Sequence, residues 1–371
     1  MASPKSTETK KVNLDFNKEF INTFTQNIER GNVEFINQTL KDLHEADVAN
    51  LIENLTPDTR TKLIEIESFN IDPEIFIELN ESIQSEVLQL LSIESLIKII
   101  KRLESDNAIK ILENLSKEIK EKVLEKLPPK DKFLLQEGLS YPEDSAARIM
   151  QREFTAVPSN WTVGQTIDYL RENKDLPEEF LEIFIVDNDF KPIGTVPSSR
   201  VLRTSRDLKM SSIMREMPVL ISVNMDKEEV GLTFENYNLV SAGVVNKENK
   251  LVGMITADDV VTVVQEEAEE DTLRLAGVGD EEITDSVMLK TKRRFNWLLL
   301  NLFTALLATW VISFFGASIE QMVALAFLMP IVASMGGNAG MQTLAVTIRA
   351  IATKELSKSN FNRVVGLSLI H

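Results

Sequence analysis

The residues with chemistry to offer in this chain are its carboxylates. Residues 258–271 start on a predicted helix and carry Glu266, Glu267, Glu269, Glu270 and Asp271 in close succession, where like charges at short spacing repel. A hard divalent cation bridging these acids to those of a neighbouring domain would relieve the repulsion, and its loss would drive the domains apart. The alternative is a solvated acidic helix face. The chain has 57 Asp plus Glu against 40 Lys plus Arg, a net charge of -17, which would repel nucleic acid phosphates, so no nucleic acid partner is expected. It has no cysteine and only two histidines, His44 and His371, which excludes thiolate sites and leaves oxygen-held cations such as magnesium or calcium. No nucleophile–base constellation, Walker loop or histidine pair is present, so an enzyme is not expected.

Amide oxygens form a second candidate set, inside an apolar region. Residues 295–316 form an almost uncharged run long enough to cross hydrocarbon as a helix, and a second run, 321–348, follows a short turn at 317–320. Lys290, Lys292, Arg293 and Arg294 precede the first run, and Arg349, Lys354, Lys358 and Arg363 follow the second. This bias places both flanks, and everything before Lys290, in the cytoplasm. Pro330 removes a backbone donor from the second run, while Gly336, Gly337, Asn338, Gly340 and Gln342 stand where bulk would be expected. An irregular backbone lining a water-filled cavity is the expectation, with close small-residue packing of helices as the alternative.

Upstream elements must position these groups. From residue 16 to 137 apolar positions recur at three and four residues, as in Val48, Leu51, Ile52, Leu55, predicting amphipathic helices. An echo at an offset of about 60, LHEADVANLIENL at 43–55 against LESDNAIKILENL at 103–115, points to a stacked helical array. After residue 146 the texture turns to β-branched runs bracketing turns: 181–186 with 192–196, and 242–246 with 251–256. Each hairpin follows an amphipathic helix, at 163–172 and 228–237, so two matching α/β units are predicted. The polar start, 1–11, has no apolar core of a secretory signal and reads as a disordered lead-in.

The string PIVASMGGNAGMQ at 330–342 resembles the signature of the MgtE family of magnesium channels, and the order of predicted parts resembles that family over nearly the whole chain. The resemblance implies a multidomain protein: an all-α superhelical N domain at 16–140 after a lead-in at 1–15; an α/β tandem CBS pair at 145–264, divided as 145–205 and 206–264; a plug helix at 265–292; and a partial α-helical transmembrane domain at 293–371 with two spans and the start of a third helix. It further implies a homodimer in the cell inner membrane, multi-pass in the lipid bilayer, conducting divalent cations and gated by intracellular magnesium bound between acidic cytosolic domains. The matching regulatory positions are Asp106, Asp226, Glu228, Asp259, Glu267 and Glu270; the pore motif is Pro330, Gly336, Gly337, Asn338, Gly340 and Gln342.

Three positions depart from the family pattern, with Lys110, Asn238 and Thr262 where Asp is usual. A lysine supplies a fixed positive charge in place of a cation, so weaker magnesium dependence of the closed state is expected. The two α/β units resemble tandem CBS modules, which often bind adenine nucleotides, and Gly253, Thr256 and Asp259 keep part of that pattern, so the resemblance implies ATP as a ligand; the alternative role of Thr256 is to cap the following helix. The first unit has Pro197 and Arg200 at the corresponding positions. The family has five membrane helices, the last carrying a central metal-binding aspartate without counterpart in this sequence. The alternative function is a membrane-anchored CBS sensor that binds nucleotide or a protein partner without conducting.

Overall fold

The computed structural model describes residues 16, 18–67, 72–174, 176–177, 180–216, 219–275 and 287–352. The expected lead-in at 1–15 and the start of a third membrane helix lie outside them. The chain divides into two compact units, Met1–Val263 and Val264–His371.

The first unit opens with ten helices: α1 (Lys18–Glu29), α2 (Val33–Asp42), α3 (Glu45–Glu53), α4 (Pro57–Glu67), α5 (Glu74–Ile77), α6 (Glu81–Leu90), α7 (Ile93–Ile100), α8 (Ser105–Glu113), α9 (Lys117–Lys126) and α10 (Pro129–Ser140). Side-chain acceptors fix several starts: Asn32 accepts from Phe35 N, and Ser92 from Ser95 N, each satisfying a donor that the helix leaves free. The sequence echo is a structural one. Helices α3 and α8 are nine residues each, end on Asn54 and Asn114, and bury Val48, Leu51, Ile52 and Ala108, Ile111, Leu112 on their inner faces. No helix here buries enough surface alone. Stacking supplies one continuous core running from Phe24 to Leu135.

Two α/β modules follow. In the first, β1 (Ala156–Pro158) pairs in parallel with β2 (Glu182–Val186), which pairs antiparallel with β3 (Pro192–Pro197); α11 (Val163–Glu172) connects β1 to β2, and α12 (Ser198–Leu202) and α13 (Met210–Ile213) follow. The second repeats this with β4 (Ile221–Ser222), α14 (Lys227–Tyr237), β5 (Ser241–Val245), β6 (Leu251–Thr256) and α15 (Ala257–Leu275). The bulges correspond too, at Ile185/Val186 and Val244/Val245. Strands β1 and β4 were not expected from the sequence, because three and two residues are too few to show an alternation.

The modules exchange lead-in segments: Gln151, ahead of β1, bridges to Met254 in β6, and Arg215, ahead of β4, bridges to Thr195 in β3. This exchange requires glycine. A Cβ on Gly253 would lie 2.8 Å from the Gln151 carbonyl, and one on Gly194 would lie 2.5 Å from that of Arg215. Ala146, Ala147, Ile149 and Met150 are buried in the core of the second module, so the segment joining the helical array to the first module is anchored in the other one.

The second unit holds α16 (Val287–Ser313), α17 (Gly316–Gln321) and α18 (Ala324–Ala352). Two expectations are corrected here. The turn predicted at 317–320 is the six-residue helix α17. The irregular backbone predicted in the second run is an unbroken helix through Pro330 and the glycines. Among the described residues Gly31 is the only glycine with positive φ; each glycine within α18 costs roughly 1 kcal/mol relative to alanine, but helical bonding continues. Of the expected plug helix at 265–292, α15 (Ala257–Leu275) and the start of α16 (Val287–Ser313) are described, and residues 276–286 lie outside the described residues. Among the described residues no helix is long and apolar enough to cross a membrane.

Candidate functional site

The densest chemistry of the first unit lies where the start of α8 meets residues 148–153. Glu104 takes the N-cap position of α8 but makes no side-chain cap bond. The missing acceptor comes from across the seam: Glu153 Oε2 accepts from Ser105 N at 3.1 Å and from Ser105 Oγ at 2.9 Å. Arg152 N closes the ring by donating to Ser105 Oγ at 2.8 Å and to Glu153 Oε2 at 3.1 Å. A carboxylate suits this place because the free N–H groups of a helix start carry partial positive charge.

Next to this ring, Gln151 is buried and bridges two acids with one amide nitrogen. It donates to Glu104 Oε2 at 2.8 Å and to Asp259 Oδ2 at 3.2 Å, while Thr256 Oγ1 donates to the same Asp259 oxygen at 2.6 Å. Asp106, only 2% exposed, completes the group, and its buried Oδ1 has no hydrogen-bond partner.

Burial is the largest cause of the behaviour of these carboxyls, since it disfavours the charged form. It pushes Glu104 up to about 7, helped by Glu153 and Asp259. It raises Asp106 well above the usual range, helped by Asp259, and raises Asp259, with Asp258 adding to the rise. Lys110 opposes the shift at both aspartates.

At the other side of the seam the charges attract. Arg148 pairs with Glu113 and also donates from Nε to the Tyr141 carbonyl at 2.9 Å. Arg152 Nη2 lies 3.1 Å from Glu137 Oε2. Both arginine side chains are 11% exposed, and both contacts are ion pairs of close approach rather than well-directed hydrogen bonds.

Of the six expected regulatory acids, the fold brings Asp106 and Asp259 together. Asp226 caps α14, accepting from Glu228 N at 2.9 Å, and both side chains are exposed. Glu267 and Glu270 are half-buried residues of α15 within the second unit. Among the described residues no three acid or histidine side chains converge as a ready cage for a metal ion. The expected nucleotide groups are mutually engaged: Thr256 bonds Asp259, and Gln151 and Met150 close over Gly253. In the first module Arg200 turns to the Ile213 carbonyl, donating at 2.9 Å. Pro330, Gly336, Gly337, Asn338, Gly340 and Gln342 all stand exposed on α18. Asn238 ends α14 in the left-handed conformation, φ 48°, which accounts for an amide side chain there. Sequence reasoning missed Glu104, Glu113, Glu137, Arg148, Gln151, Arg152 and Glu153. Three of them form the run Q-R-E immediately after an apolar I-M, a local signal with no periodicity.

These features define a class: a stacked helical array docked through a charged seam onto a tandem pair of intertwined α/β modules. Models of known families match the same parts in order. The MgtE intracellular N domain matches residues 43–144, CBS domains match 146–207 and 210–266, and the divalent cation transporter model of MgtE matches 329–370. In these parts and in their order the chain is similar to the MgtE family. It is 32% identical over 228 residues to the magnesium transporter MgtE of Bacillus subtilis (strain 168), covering 61% of this chain and 51% of that one. It is 30% identical over 227 residues to the magnesium transporter MgtE of Thermus thermophilus, covering 60% and 50%. The chain thus spans about half the length of the curated relatives it matches. Among solved structures, the soluble part of a magnesium transporter superposes with a TM-score of 0.59 at 21% identity, covering 68% of this chain and 99% of that one. The cytosolic domain of the Mg2+ channel MgtE in complex with ATP gives 0.60 at 24%, covering 66% and 99%. Both are likenesses of fold.

Proposed function

We propose that this chain belongs to a dimeric, membrane-embedded magnesium channel, in which docking of the helical array on the CBS pair reports intracellular magnesium and gates conduction. The observation that carries the reading is the acidic seam between those two parts, Glu104 and Asp106 against Asp259, in a chain whose further segment matches the divalent cation transporter model. Asp106, Asp226, Glu228, Asp259, Glu267 and Glu270 are the regulatory positions. The seam suits a hard divalent cation in chemistry, offering carboxylate oxygens and an orphaned buried Asp106 Oδ1. A bound cation would favour the ionised carboxyls there and offset their repulsion. What the chain does by itself is hold Glu104 and Asp259 on the Gln151 amide and place Lys110 close enough to favour both aspartates in their charged form.

Large apolar side chains of the second unit support a place in lipid or against other membrane helices. Leu299, Phe303 and Trp310 of α16 and Phe327 and Val332 of α18 stand more than half exposed, far more apolar surface than a chain in water ordinarily presents. A second copy is supported by matched exposed residues on the two modules, Leu181 and Leu202 on one and Val240 and Val261 on the other. Nucleotide at the second module would have to displace Gln151 and free the Thr256–Asp259 pair. Growth rescue at low magnesium by the full gene tests conduction: rescue is expected, with loss for Asn338→Ala. Equal rescue by that variant would remove Asn338 from the ion path, and no rescue by the unaltered gene would favour an anchored sensor.

A further inference from the structure

The hairpins of the two α/β modules correspond position by position, and where a CBS module would hold an adenine nucleotide the first one has its chemistry reversed. The strand registers align Gly194 with Gly253 and Pro197 with Thr256, and three residues further on Arg200 takes the place of Asp259. A ribose presents hydroxyl groups whose protons need acceptors, and its phosphates need donors. At the acceptor position a guanidinium has donors alone, and at the donor position proline has neither hydroxyl nor N–H. These are properties of the residue types and hold in any conformation.

The neighbouring groups do not make good the loss. Ser198 Oγ donates to the Phe180 and Leu181 carbonyls, both at 3.0 Å. Glu182, opposite Pro197 in the hairpin register, accepts from Ser241 Oγ of the other module at 2.8 Å. Arg200 Nη1 donates at 2.9 Å to the carbonyl of Ile213, two residues ahead of Arg215, whose backbone bonds Thr195 of β3 at 3.0 and 2.8 Å. The arginine thus ties α12 to the segment that crosses β3. The second module keeps Thr256 and Asp259, but Asp259 Oδ2 already accepts from Thr256 Oγ1 and from Gln151. Around it Glu104, Asp106 and Asp258 are close enough for like charges to act on one another, so a chain of phosphates would bring more negative charge into a group of acids.

We propose that the tandem pair is closed to adenine nucleotides: Pro197 and Arg200 exclude them from the first module, and the self-bonded acids exclude them from the second. Regulation of the pair is then left to carboxylates, which suit a cation and repel a phosphate. This holds whether or not the chain conducts ions. Calorimetric titration of the full chain in lipid nanodiscs with ATP, ADP and AMP, each with and without magnesium, tests it. No saturable heat is expected at millimolar nucleotide. Pro197→Ser combined with Arg200→Asp supplies a donor and an acceptor in the first module, and this double variant should bind ATP at least about tenfold more tightly than the limit set by the unaltered chain, as one charge-assisted hydrogen bond would. Saturable binding by the unaltered chain would overturn the proposal, and loss of that binding in Arg200→Ala would make the guanidinium a phosphate ligand instead. A double variant that melts like the unaltered chain and still takes no ATP would remove Pro197 and Arg200 as the cause. The titration of the unaltered chain decides the exclusion even if the double variant does not fold.

Discussion

Replacing Gln151 by glutamate should make docking across the seam depend far more steeply on a divalent cation. The amide nitrogen of Gln151 sits 2.8 Å from Glu104 Oε2 and 3.2 Å from Asp259 Oδ2, so a carboxylate oxygen in its place would face two others at contact distance. Unit charges about 4 Å apart repel by about 4 kcal/mol at an effective dielectric of about 20, and here there are two such pairs. The chain can escape part of this by keeping the introduced carboxyl protonated. At a pH of about 7.5 that costs about three pH units at about 1.4 kcal/mol each, roughly 4 kcal/mol, which caps the penalty. Loss of the two hydrogen bonds adds about 1–3 kcal/mol, because a neutral carboxyl donates only one. Docking should weaken by about a thousandfold in EDTA. Three carboxylates then converge where there were two and an amide, so millimolar magnesium should restore it. Trypsin reads the outcome, because Arg148 and Arg152 are 11% exposed in the docked form. Cleavage after either, identified by mass, should be slow for both chains in magnesium, and in EDTA much faster for Gln151→Glu than for the unaltered chain. Equal cleavage of the two chains in EDTA would refute the reasoning.

Other consequences are simpler. Glu104 is raised from its usual value near 4.5 to about 7, so the folded chain holds its proton more tightly than the unfolded one; stability is fullest below about 4.5, falls as pH rises towards 7 and then levels. Denaturant midpoints between about pH 5 and 8 should show that fall, about 1–2 kcal/mol after allowance for solvent screening, and Glu104→Gln should flatten it; a rise would contradict the burial argument. Asn238→Ala should cost about 1 kcal/mol by thermal melting, because φ 48° suits alanine poorly, whereas Asn238→Gly should be neutral or better. Gly253→Ala places a Cβ 2.8 Å from the Gln151 carbonyl and should cost about 1–3 kcal/mol while speeding trypsin cleavage at Arg152; lost stability without faster cleavage would uncouple β6 from the seam.

Periodicity made the helical array readable, and the echo at an offset of about 60 residues located two equivalent helices, because each helix writes its buried face into the chain at three- and four-residue intervals. Hairpins β2–β3 and β5–β6 were legible instead as β-branched runs bracketing turns, since their strands are buried almost throughout. What could not be read was long-range: Glu153 lies 48 residues from the helix it caps, and Gln151 lies 108 from Asp259, separations that leave no mark on either local sequence. Asp106 and Asp259 were singled out through family resemblance, and what brings the start of α8 to Asp259 is Gln151, which bonds both Glu104 and Asp259. The helical course of α18 through Pro330 was mispredicted because glycine permits irregular backbone without requiring it.

The seam is divided in a way that limits how strongly it can answer a cation. Arg148 and Arg152 are committed to Glu113 and Glu137, so neither is available to neutralise Glu104, Asp106 or Asp259, and those acids are met by an amide, a hydroxyl, backbone hydrogen bonds at Asn107 and Thr256, and the single charge of Lys110. Had the arginines faced the acids, the site would be a set of buried ion pairs with nothing for a divalent ion to add. Had Lys110 been an aspartate, a fourth carboxylate would make docking without a cation prohibitively repulsive. The observed arrangement lies between these limits: the arginine side holds the array in place, and the acid side retains an orphaned oxygen and raised carboxyls on which a change of magnesium or of pH can still act.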